Sequence, residues 1–122
     1  MLLASQSGLP LEFTQGDNVV LQLIATDDQG NPQNLTGASL STTILGPNGV
    51  GPVTFSNGQH TIANQTTNKG QFSLALGNAG ADSASCGEGP NKEIITESII
   101  AGAPLYYRGP NLLTIYSNVP QQ

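Results

Sequence analysis

This sequence is poor in the residues that do covalent chemistry or carry clustered charge. It has one cysteine, one histidine and no tryptophan in 122 residues. A disulfide scaffold or a zinc site needs several cysteines or histidines, so neither class fits. The only basic residues are Lys69, Lys92 and Arg108, and they are scattered. Electrostatic nucleic-acid binding draws on clustered cations that displace counterions from phosphates, so no nucleic-acid partner is expected. No apolar run approaches the roughly 18 residues of a membrane-spanning helix, and no membrane partner is expected either. Charged residues make up only 9% of the chain, and β-branched residues are frequent, which argues against intrinsic disorder. The first six residues lack a charged segment and an adequate apolar stretch, so they do not read as a secretory signal.

What the sequence does have is uncharged polarity and punctuation. Ser, Thr, Asn and Gln make up about a third of the chain, with 15 glycines and 8 prolines, and the net charge is -5. At this length one domain with a real core is expected. Hydrophobic residues recur with a period of two, and glycine or proline interrupts every window long enough for a helix. Strands are expected over Asn18–Thr26, Ala38–Leu45, Val53–Phe55, Gln59–Ala63, Gln71–Leu76 and Lys92–Ala101. Two further stretches, Leu105–Arg108 and Leu112–Ser117, read as one strand interrupted near Gly109-Pro110. Val19, Leu21, Leu23 and Ala25 share one face of the first strand, and Val20 with Ile24 suggests partial cover on the other. Asp27 to Pro32 and Gly46 to Gly49 read as turns, and Ser56-Asn57-Gly58 as the tip of a short hairpin with left-handed glycine. About seven short strands with turns every 8–12 residues point to an all-β fold, a single antiparallel β-sandwich. Its expected divisions are residues 1–10 as a flexible N-terminal arm, 11–118 as the sandwich and 119–122 as a tail. Gly77 to Asn91 is one long loop.

No catalytic constellation emerges. His60, in the arm Gln59-His60-Thr61, reads as a strand-surface histidine. Asp27-Asp28 and the Glu93/Glu97 pair read as solvated carboxylates. The segment Asp27 to Asn31 lacks the ligand spacing of a calcium loop. Cys86 has no neighbouring base and reads as an inert thiol. No cofactor and no metal is expected. Phe13, Phe55 and Phe72 have the parity of core residues, while the adjacent Tyr106 and Tyr107 must point to opposite faces. The candidate interface residues are Tyr106, Tyr107 and Arg108, with Asp82 and Glu88 from the long loop, because tyrosine and arginine are enriched where proteins bind one another.

Phe13-Thr14-Gln15-Gly16-Asp17, an apolar strand, Asp28-Gln29-Gly30-Asn31-Pro32 and Asn34-Leu35-Thr36-Gly37-Ala38 follow in order, with Gly70-Gln71-Phe72-Ser73-Leu74-Ala75-Leu76 later. This series resembles the immunoglobulin-like (Ig-like) β-sandwich domains of tailed-phage structural proteins, in particular the amino-terminal domain of phage upper baseplate proteins. The resemblance runs well from Phe13 to Leu76 and loosely from Lys92 to Ser117. It implies an Ig-like sandwich and a non-enzymatic virion subunit of the tail, baseplate or fibre region, assembled in the host cytoplasm. Its expected partners are other copies of itself, as a homo-oligomer, and other virion proteins. A capsid decoration protein is the alternative within that class, and a carbohydrate-binding module using Tyr106, Tyr107 and Tyr116 is the alternative outside it.

Overall fold

The structure is a computed structural model that describes residues 1–46, 52–77 and 86–117. Among them lie nine strands, one 3-10 turn at Asn57–Gln59 and no α-helix. The strands are β1 (Leu2–Ser5), β2 (Leu11–Thr14), β3 (Val20–Thr26), β4 (Ser39–Leu45), β5 (Val53–Phe55), β6 (His60–Ile62), β7 (Gln71–Ala75), β8 (Gly89–Ile100) and β9 (Ala103–Tyr116). They join in the order β5-β4-β8-β9-β1-β3-β7-β6, with β2 also paired to β9. The result is a curled, mixed sheet rather than the expected antiparallel sandwich of about seven strands. Two contacts make it mixed: β2 runs parallel to β9, and β1 meets β9 in parallel at the single register pair Leu2↔Arg108.

Residues 1–10 are not a free arm. β1 pairs antiparallel with β3 over four residues, and Leu3 and Ser5 are buried. The polar residues here serve the backbone: the Ser5 hydroxyl donates to the Leu9 carbonyl at 2.6 Å, and the Gln6 amide donates to the carbonyls of Leu23 and Phe72 at 3.0 and 3.1 Å. Gln6 thus staples the strands beneath it. Hydropathy cannot signal a strand held in this way.

The core follows the alternation of the strands. Leu21, Leu23 and Ala25 on β3 and Phe72 and Leu74 on β7, with Leu76 just beyond, point inward and meet Leu40, Ile44, Phe55 and Ile94. Burying side chains of this size stabilises by roughly 1.5–3 kcal/mol each. The outer face of β3 is covered in part, as expected: Val20 is 51% exposed, while Ile24 is half-buried and Thr26 is buried. Leu35 is fully buried, and its N–H donates to the Gln65 side chain, which also accepts from Gly70 N–H. Gly70 is required twice over: its φ is +81°, and a β-carbon there would lie 2.6 Å from the Ala25 carbonyl oxygen.

The expected hairpin at Ser56-Asn57-Gly58 does not form. β5 pairs with β4 and β6 with β7, at opposite ends of the strand order, and Gly58 is absent from the positive-φ glycines. The chain crosses between those ends through the 3-10 turn, where Asn57 Oδ1 accepts from Leu40 N–H at 2.9 Å and Gln59 Oε1 from Ser56 N–H at 3.3 Å. Those satisfied backbone donors favour the crossing over a tight reversal. The Asp27 turn is as expected, with Asp27 Oδ1 accepting from the N–H groups of Gln29 and Asn31, and Gly30 at φ +87°. The expected turn at Gly46 to Gly49 lies, beyond Gly46, outside the described residues, as does the tail 119–122.

β8 and β9 form the longest ladder. They join through Ala101 (φ +52°) and Gly102 (φ +80°), the two left-handed positions of a tight hairpin turn. Gly89 to Asn91, assigned above to the long loop, belong to β8. β9 runs unbroken past Gly109-Pro110 because the register shifts there: Ile94 faces Gly109 but Lys92 faces Leu113. The extra residues form a bulge that accommodates a proline lacking an N–H.

A candidate interaction surface on β2, β9 and β8

Even-numbered residues of β9 point outward and odd-numbered ones mostly inward, which decides the fate of the tyrosine pair. Tyr106 is 55% exposed and Tyr107 is 2% exposed. Tyr107 is therefore a core residue and is withdrawn from the candidate interface; burial raises its phenol pKa. Arg108 and Tyr116 face outward with Tyr106 and are about as exposed, Tyr116 at 50%.

Each of these three side chains is held by a glutamate on an adjacent strand. The Tyr106 hydroxyl donates to Glu97 Oε2 at 2.6 Å. Arg108 Nη2 donates to both oxygens of Glu93 at 3.0 Å. The Tyr116 hydroxyl donates to Glu12 Oε1 at 3.0 Å. The hydrogen bonds and the nearby carboxylate charges hold both phenols protonated above their ordinary range. Exposed contacts of this kind add little to stability, but they fix long side chains in place. The Glu97–Tyr106 pairing follows from the β8–β9 register, which places those residues opposite each other. The Glu12–Tyr116 pairing needs β2 alongside β9, a pairing the sequence did not announce.

Glu88 is exposed at the start of this region and lines an open groove of about 600 Å³ with Pro90, Thr114, Tyr116 and Ser117. Asp82 lies outside the described residues.

A second polar group sits inside. His60 Nδ1–H donates to the Ser56 carbonyl at 2.8 Å, so the neutral ring accepts at Nε2 from the Thr42 hydroxyl at 2.7 Å. Thr42 in turn accepts from the Thr96 hydroxyl at 2.8 Å. Thr42 and Thr96 are fully buried, and His60, expected at the surface, is half-buried with its ring 6.0 Å from that of Phe72. Burial lowers its pKa, against the opposing pull of the Ser56 and Asn57 backbone. This chain of bonds ties β6, at one end of the strand order, to β4 and β8 near the other. Ser98 Oγ is the one buried side-chain polar atom among the described residues without a partner. Cys86 is buried, and its carbonyl accepts from the Gln15 side chain at 2.9 Å. Among the described residues no three His, Cys, Asp or Glu side chains gather as a metal site, and no helix is long and apolar enough to cross a membrane.

No protein-family model matches this chain, and no curated protein matches it.

Proposed function

We propose that this chain is a non-enzymatic structural subunit of a phage particle, in the tail, baseplate or fibre region, and that it works by assembly through the outward β2–β9–β8 face. The carrying observation is that Tyr106, Arg108 and Tyr116 are exposed on one face and each is fixed by a neighbouring glutamate. Side chains already immobilised lose less entropy on contact, which favours binding.

The strand connectivity supports an Ig-like reading of the fold. Dividing the order at the single β1–β9 register pair leaves β1-β3-β7-β6 on one side and β2-β9-β8-β4-β5 on the other. An Ig-like sandwich places its first, second, fifth and fourth strands together and its third, sixth and seventh opposite. With β1 and β2 as two parts of a first strand shared between halves, and β5 as an added edge, the order agrees. Uncharged polar side chains over the surface also suit repeated subunit contacts, since they pair without desolvating full charges.

Mass spectrometry and cryo-microscopy of purified particles test the proposal. The chain is expected at a symmetric tail position; a head position favours decoration, and absence from particles overturns both readings. The groove beside Tyr116 and Glu88 favours one other class, a carbohydrate-binding module. Glycan binding lost in Tyr116→Ala would establish that reading instead.

A further inference from the structure

We propose that the outward β2–β9–β8 face docks a cationic segment of a different protein, one that presents arginine or lysine side chains, and not a second copy of this chain. The inference rests on the assembly reading above and names the partner's chemistry. Glu12, Glu93 and Glu97 lie on this face against the single Arg108, a formal surplus of two negative charges. Arg108 already saturates Glu93 by donating to both of its oxygens. Each tyrosine occupies only one oxygen of its glutamate. Glu97 Oε1 and Glu12 Oε2 have no bond among the described residues.

A glutamate with one open oxygen beside an exposed phenol ring therefore occurs twice. That arrangement suits a guanidinium or ammonium group, which donates to the carboxylate while lying against the ring. Tyr106 and Tyr116 are ten residues apart on one strand, a span of roughly 30 Å. An extended segment or a second sheet face can reach both.

The same charges argue against self-association. A symmetric contact between two such faces would oppose glutamates to glutamates. A second copy has few cations to bring: Arg108 is engaged with Glu93, Lys92 is buried, and Lys69 stands exposed in the turn before β7. The expectation that the partners are other copies of this chain is thereby narrowed, for this face, to a basic partner.

The test is an amide chemical-shift titration of the whole folded chain, at low and at moderate salt, with a blocked peptide of about twelve residues that carries one arginine near each end, roughly 30 Å apart when extended. Shifts are expected at β2, β8 and β9, and binding is expected to weaken by about tenfold in the Glu12→Gln/Glu97→Gln double variant, as two exposed charge pairs allow. Shifts spread equally to the Asp27-Asp28 turn, or binding unchanged in the double variant, would overturn the proposal. Sedimentation equilibrium of the protein alone adds a second readout: a monomer is expected, and a dimer that the double variant strengthens would assign the face to a second copy. Failure here is separable from failure of the particle reading. A chain missing from particles that still binds the peptide on this face overturns only the latter, and a particle-bound chain whose face ignores the peptide overturns only the former.

Discussion

Two hydrogen-bonded side-chain groups in this molecule use similar chemistry in opposite surroundings. Inside, Thr96, Thr42 and His60 form a chain that bridges strands distant in the sheet order. Outside, Glu97–Tyr106, Glu93–Arg108 and Glu12–Tyr116 join neighbouring strands under solvent. Buried polar atoms deprived of a partner lose interactions that water cannot replace, whereas exposed ones simply turn to water. The inner group is thus a device for stability and closure. The outer group contributes little to folding and is free to serve contact.

Substitutions that remove the setting of the inner group should have the largest effect. Phe72 is almost fully buried beside the His60 ring, and Phe72→Ala should cost about 3–5 kcal/mol in urea unfolding. A loss below about 1 kcal/mol would mean that the core collapses readily around the site. Next comes Thr42→Val, which keeps the shape but strands His60 Nε2 and Thr96 Oγ1. It should cost about 1–3 kcal/mol.

A pH effect follows in size. Because burial lowers the His60 pKa below its usual 6.5, the unfolded chain takes up a proton before the folded one does. Stability from this group is full above about pH 6.5 and declines as pH falls toward the folded value. In His60→Gln, where the side-chain amide oxygen can still accept from Thr42, unfolding midpoints between about pH 7 and 5.5 should lose most of their slope. An unchanged slope would point to other titrating groups.

The smallest effect belongs to the outer face. Tyr106→Phe and Tyr116→Phe should leave the urea midpoint where it is. In the parent, Glu97→Gln should bring the Tyr106 phenol back toward its ordinary titration near pH 10, read by ultraviolet absorbance. A clear fall in stability in either phenylalanine variant would erase the contrast between the two groups.

How far the sequence announced these features depends on the range of the interactions. Alternation alone located β3, β4, β5 and β7 within a residue or two and put Phe13, Phe55 and Phe72 in the core. The turn at Asp27 and the opposition of Tyr106 and Tyr107 were also legible, because both are local. β1 was not, since a four-residue strand whose last residue Ser5 and neighbour Gln6 bond to backbone gives too short a periodic signal. The crossing from β5 to β6 was hidden because Ser56-Asn57-Gly58 is equally good hairpin chemistry. What decides against the hairpin is Asn57 reaching Leu40, a contact set by tertiary packing. At the candidate surface, Tyr106 and Arg108 could be named from the sequence. Their glutamate partners required the strand register, and Glu12 came from a strand 104 residues away from its tyrosine.

The most direct measurement is incorporation of a Tyr106→Ser/Tyr116→Ser double variant into phage particles, beside a parent of matching circular dichroism and urea midpoint. If the outward face is the working surface, the variant folds normally and is lost from the particles. A double variant that folds and enters particles at the parent's copy number would contradict that claim.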